Sequence, residues 1–162
     1  PRRPLLTVET PDSAWKVDDE AVVVDGGRVA GAPVVTVDAL DALRLGAAIK
    51  DDTVRDAVRV HIALPAWLRD QVRLYRIVAP RDLWLRLAVP ARGRSNEERE
   101  PARGSKATMV DVRFGTATDL ALKAEVIRVL LPQAVERQGD LDVRAPTNPV
   151  VVESGSAVSG SG

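Results

Sequence analysis

Thr108-Met109-Val110-Asp111-Val112-Arg113-Phe114, the run Asp119 to Leu131, Leu141-Asp142-Val143-Arg144 and Asn148-Pro149-Val150-Val151-Val152 follow one another in the last third of the chain. The first alternates apolar and polar residues, the period of a half-buried strand. The second carries Leu120, Ala124, Ile127 and Leu131 on one stripe, with Leu122, Val126, Val129 and Leu130 beside it. That spacing predicts a helix with a broad apolar face, capped by Thr116 or Thr118 and ended by Pro132. The last two runs are short and extended, so the order is strand, helix, strand, strand. A sheet finished by its final strand presents a row of N–H and C=O groups to any chain able to pair with them.

The upstream sequence supplies the rest of that sheet. Pro4 to Thr10, Trp15-Lys16-Val17, Ala21-Val22-Val23-Val24 and Ala32-Pro33-Val34-Val35-Thr36-Val37 are short strand-like runs separated by turn compositions. Asp38 to Leu43 predicts one or two helical turns. Asp51 and Asp52 offer N-caps for a helix carrying Val54, Val58 and Ile62, limited by Pro65, with Trp67, Leu68 and Val72 extending its apolar face. Val72 to Val78 and Leu83 to Leu87 alternate around Ala79-Pro80-Arg81-Asp82, a hairpin. The expected fold class is α+β: a curved, mostly antiparallel sheet with two principal helices packed on it. A single domain is expected over 1–153, interrupted by a polar, mobile loop at 90–107 and followed by a disordered Gly/Ser tail at 154–162.

Composition narrows the function. With 23 basic and 23 acidic side chains the formal charge is zero, so no net field draws the chain to nucleic acid or an anionic membrane. Aromatics make up 3%, too few for base or sugar stacking platforms, and without cysteine there is no disulfide, thiolate metal site or thiol nucleophile. No stretch approaches the roughly 20 apolar residues that span a bilayer.

Candidate chemical groups each have a plainer reading. Asp18-Asp19-Glu20, with Asp25 nearby, lacks the spacing of a Ca²⁺ loop and reads as a solvated hairpin turn. His61 has no companion ligands or nucleophile elbow and reads as a partly buried helix histidine. Gly26-Gly27 is a turn, lacking the context of a phosphate loop. Trp15, Trp67 and Trp84 lie in separate elements, as core or rim anchors. In the loop, Arg92, Arg94, Arg99 and Arg103 are balanced by Glu97, Glu98 and Glu100. On the last helix, Lys123 and Arg128 read as a solvated face, with contact to a partner's acidic segment as the alternative. No catalytic, cofactor or metal residue is expected.

A strand ending in Arg113-Phe114-Gly115, a helix with Ala121-Leu122-Lys123-Ala124-Glu125-Val126, and Leu141-Asp142-Val143-Arg144-Ala145-Pro146 before a final strand together resemble the β-domain of the bacterial cell-division family FtsQ/DivIB. Earlier, Trp15-Lys16-Val17-Asp18 running into Val22-Val23-Val24 resembles that family's Val-Asp hairpin, with Ala21 where the family usually has Gly, and Ala32-Pro33-Val34-Val35 resembles its next strand. The resemblance covers most of Arg3 to Val152, with the family's membrane helix and POTRA domain outside this chain. It implies a non-catalytic scaffold of the division septum, on the extracytoplasmic face of the cell membrane, that receives an FtsB/DivIC partner as an added strand and so recruits FtsB and FtsL. The matching partner-binding positions are Asn148, Val150, Val151 and Val152, with Asp142 and Arg144 shaping the approach and Lys123 and Arg128 at the rim. Two other readings stand beside it. A pocket gathering the Asp18–Asp25 acids with His61 would favour a small hydrolase. A covered last strand would favour a ligand-sensing envelope domain, and two-fold pairing of edges a self-associating one.

Overall fold

The computed structural model describes residues 2–38, 40–79, 81–90 and 106–153. The expected loop at 90–107 falls largely, and the Gly/Ser tail at 154–162 entirely, outside the described residues. The short N-terminal runs form β1 (Leu6–Glu9), β2 (Ala14–Val17), β3 (Val23–Gly26) and β4 (Val34–Thr36). Next come α1 (Asp52–Ala63), the single-turn α2 (Ala66–Arg69) and the hairpin β5 (Val72–Ala79) with β6 (Asp82–Val89). The chain closes with β7 (Thr108–Gly115), α3 (Leu120–Arg137), β8 (Gly139–Asp142) and β9 (Val150–Glu153).

The strands build one nine-stranded sheet in the order β3-β2-β1-β4-β5-β6-β7-β8-β9. Five neighbouring pairs are antiparallel, while β1–β4, β4–β5 and β7–β8 are parallel. The α+β expectation holds. Alternation sends Tyr75, Leu85, Val112 and Leu141 to one face, where they lie side by side across β5 to β8 and share a core with Val54, Val58, Ile127 and Leu131 of the helices. No described helix is long and apolar enough to cross a membrane.

Several local expectations are corrected. Residues 40–43 form no helix, because the following segment commits its backbone to the sheet instead: Gly46 turns at φ 76° and Gly46 and Ile49 donate to the carbonyls of Val23 and Ala21. Asp51 caps α1 as expected, accepting from the amides of Thr53 and Val54. The buried stripe, however, is Val54, Ala57, Val58 and His61, leaving Ile62 exposed. Trp67 is likewise at the surface, while Leu68 is buried.

In α3 the helix runs through Pro132 to Arg137. Pro132 lies on the exposed side and forfeits one amide bond, while Leu131 and Ala134 keep packing on either side of it. Neither Thr116 nor Thr118 caps this helix. Their hydroxyls bond each other at 2.8 Å, and Asp119, in the left-handed region at φ 51°, occupies the cap without a side-chain bond. Leu122 and Val129, expected in the apolar face, are exposed.

Candidate interaction site at the C-terminal sheet edge

Each end of the sheet has an outermost strand, and the two are treated differently by the chain. Beyond β3 runs the segment Gly46–Ile49. The Val23 amide donates to Ala47 O at 3.0 Å, Gly46 N–H returns to Val23 O at 2.8 Å, and Val22 pairs with Ala48. Beyond β9 no described strand follows.

The phase of β9 can be worked out from its neighbour. Val143 N–H donates to Arg113 O of β7 at 3.0 Å. Main-chain groups of successive strand residues point to opposite sides, so those of Leu141 and Val143 face β7 and those of Asp140 and Asp142 face β9. Asp142 is paired with Val150, and Asp140 with Val152. The N–H and C=O groups of Val150 and Val152 are therefore turned inward to β8. Those of Val151, with the Glu153 amide, face outward. Pro149 has no amide to offer, so the first outward donor is Val151.

Side chains alternate at right angles to this. Val151 stands beside Leu141 and packs against the core, whereas Val150 and Val152 lie on the face away from the helices and remain 49% and 46% exposed. Two exposed valines flanking one inward valine give an added strand an apolar bed on one face and core contact on the other.

Around this edge the predicted residues fall into three groups. Asn148 precedes the strand instead of belonging to it, its amide closing a turn on Ala145 O at 2.9 Å. Asp142 and Arg144 are joined by a forked pair, Nε–Oδ1 at 3.0 Å and Nη2–Oδ2 at 2.6 Å, which holds the Asp142 carboxyl below its ordinary range. Arg128 is exposed on α3 and paired to Glu125, as a solvated face requires.

Lys123 is the correction. Its side chain is 1% exposed, and its ammonium donates to Phe114 O at 2.9 Å and Thr116 O at 2.8 Å while lying 4.8 Å from the Phe114 ring centroid. Burial lowers its pKa. A lysine in a helix ordinarily reads as solvent-facing, so only the three-dimensional neighbourhood reveals it.

Two glycines belong to the site and were missed. A Cβ on Gly139 would lie 2.5 Å from Val152 O, so only glycine lets β9 approach β8 there. A Cβ on Gly115, at φ 72°, would lie 2.9 Å from Cγ of Arg144. An isolated glycine beside a strand pattern was the available signal.

The remaining candidates are engaged elsewhere. Asp18, expected in a solvated turn, is 1% exposed; its carboxylate accepts from the Val22 and Glu20 amides and from Arg2, so it organises the β2–β3 turn. His61 bonds the Tyr75 hydroxyl at 2.8 Å, and burial pushes its pKa down to about 4. The hollow beside Asp18, Asp19 and Glu20 is walled by residues 2–5 and does not include His61. Trp84 stacks under Arg113 at 4.5 Å on the face away from the helices.

No family model and no solved structure matches the chain. It is 31% identical over 156 residues to the cell division protein FtsQ of Streptomyces griseus. The match takes in 94% of this chain and 65% of that relative, so the chain spans about two thirds of its length.

Proposed function

This chain is an FtsQ/DivIB-like protein, and from that premise we propose that it serves cell division as a non-catalytic scaffold on the extracytoplasmic face of the membrane at the septum. In this reading it recruits an FtsB/DivIC-type protein, and FtsL with it, by adding a strand of that partner to β9. The observation that carries the proposal is the phase of β9: Val151 turns its main-chain donor and acceptor away from the sheet, beside two exposed valines. Strand addition needs unpaired main chain for affinity and alternating side-chain contacts for specificity, and β9 offers both. Asp142 and Arg144 stand at the start of the edge with Asn148, and Arg128 is an exposed cation of α3, the helix that packs on β8 and β9. Lys123 has its side chain committed inside the chain and takes no direct part.

Two proline variants test this. In Val151→Pro the lost amide is an outward one, so the domain folds with a stability change within about 1 kcal/mol, while affinity for a tiled set of FtsB/DivIC-type peptides falls at least about tenfold in calorimetric titration. In Val152→Pro the lost amide is one that bonds β8, so stability itself drops by about 1–3 kcal/mol. Unchanged peptide affinity in Val151→Pro would remove strand addition at β9.

A further inference from the structure

Lys123 is a buried ammonium bonded to two carbonyls beside an aromatic ring, with the Asp119 charge acting on it through space and no carboxylate in direct contact among the described residues. Taking an unpaired ammonium out of water costs several kcal/mol, and a methionine would fill the same volume without that cost. The residue therefore has to be judged by what its hydrogen bonds hold. Phe114 O and Thr116 O flank Gly115, the residue that ends β7 with φ 72°. Two charge-assisted bonds, one to the carbonyl of the 114–115 peptide and one to that of the 116–117 peptide, clamp the turn at both of its ends.

Arg144 lies against Gly115 on the side where a Cβ would point. The Arg144 stem crosses it so closely that a built Cβ would stand 2.9 Å from Cγ and 3.4 Å from Cβ of Arg144. From there the guanidinium reaches Asp142, the residue paired with Val150 at the start of β9. One continuous line of contact thus runs from α3 through the β7 turn and the arginine stem to the mouth of the edge.

We infer that Lys123 is a positioning residue for that edge: it locks the Phe114–Thr116 turn so that Gly115 presents a flat floor for Arg144 and holds its guanidinium over Asp142 beside the incoming strand. This rests on the strand-addition reading only for its consequence in binding; the placement of Arg144 is a property of the free domain. An unsupported arginine at this point would sample many rotamers, and a partner would have to order it on binding.

The experiment uses Lys123→Met, Lys123→Arg and Gly115→Ala in the whole chain. In the free protein, proton exchange at Arg144 Nε, read by NMR, quickens at least about tenfold in Lys123→Met and in Gly115→Ala, while core methyl signals keep their positions and Lys123→Arg restores slow exchange. Unaltered exchange at Arg144 Nε in Lys123→Met overturns the inference whether or not any peptide binds. With FtsB/DivIC-type peptides, Arg144→Ala and Lys123→Met each weaken binding roughly tenfold and the double variant weakens it by about the same factor, because both remove one ordered group. A hundredfold, multiplicative loss overturns the coupling. If Lys123→Met does not fold, Lys123→Leu, which also removes both bonds to the turn, carries both readouts, and unaltered exchange at Arg144 Nε in it overturns the inference. Failure of every peptide to bind a protein in which Arg144 still depends on Lys123 counts against strand addition alone.

Discussion

The sheet has two ends: the chain closes one, and among the described residues no strand covers the other. At the β3 end, Gly46–Ile49 returns to satisfy Val23 in both directions and Ala21 besides. At the β9 end the outward groups of Val151 meet no described strand, yet the strand is four residues long, begins after Pro149 and ends at Glu153. Shortness, proline and terminal charge are the devices by which natural sheets discourage indiscriminate pairing at an edge. The contrast teaches that the two ends are protected differently: by a paired segment at β3 and, among the described residues, by brevity, a proline and a charge at β9.

The comparison breaks most severely at the closed end. Ile49→Pro removes the amide that bonds Ala21 O at 2.8 Å together with a buried side chain, and should cost about 4 kcal/mol. Hydrogen exchange at Val23 should then quicken while Val150 and Val152 keep their protection, and the freshly opened β3 edge should self-associate in sedimentation runs. Equal loss at both ends would mean that the edges are not independent.

Mild acid acts away from both edges, since the Asp142 carboxyl at the β9 end and the Asp18 carboxyl at the β3 end are held below their ordinary range. His61, on α1, is buried against Tyr75 of β5, facing Arg69 and Asp70 of the α2 turn, and burial sets its pKa at about 4 against an ordinary 6.5. Above pH 6.5 the ring is neutral folded and unfolded, and stability is full. As pH falls from 6.5 to 4 the unfolded chain takes up a proton that the folded chain refuses, so up to about 3 kcal/mol is lost, with no further loss from this residue below 4. Urea melts across that range should show the decline, and His61→Leu should flatten it. Peptide capture by the protein that stays folded should not change.

Gly139→Ala attacks the open end from inside. The new methyl meets Val152 O at 2.5 Å, a backbone atom that cannot swing away, so β9 must lift from β8. Loss of about 2 kcal/mol is expected, with exchange quickening at Val150 and Val152 and unchanged at Val23. Capture should fall with the strand, and a variant that still captured peptide at full affinity would place the partner elsewhere.

Much of this architecture was legible. The period of two in 108–114, the period of 3.6 from Leu120 and the chain order gave β7, α3, β8 and β9, and with them the open end. The closed end was not legible, because Gly46-Ala47-Ala48-Ile49 has no alternation and acquires its extended form only from the neighbour it covers. The strand β4 was legible in Ala32 to Val37, but its pairing was not, since its parallel partners β1 and β5 are chosen by the sheet as a whole. Within the site, the final valine strand was readable from local sequence, and Asp142 and Arg144 entered through the family resemblance, their pairing emerging only in the structure. Lys123, Gly115 and Gly139 were not readable, since their roles consist of distances to segments that the local pattern does not contain.

The smallest effect sharpens the comparison without breaking it. Gln138 ends α3 in the left-handed region at φ 52°, exposed, immediately before Gly139 leads the chain into β8. A side chain there costs about 1 kcal/mol relative to glycine, which adopts this conformation freely. Gln138→Gly should therefore raise stability by about that amount. If β9 depends on a well-set β8, its amides should gain protection while those at the closed end gain only what global stability confers. Protection rising equally at Val23 and Val152 would show that both ends report global unfolding, and that β9 is held as firmly as β3.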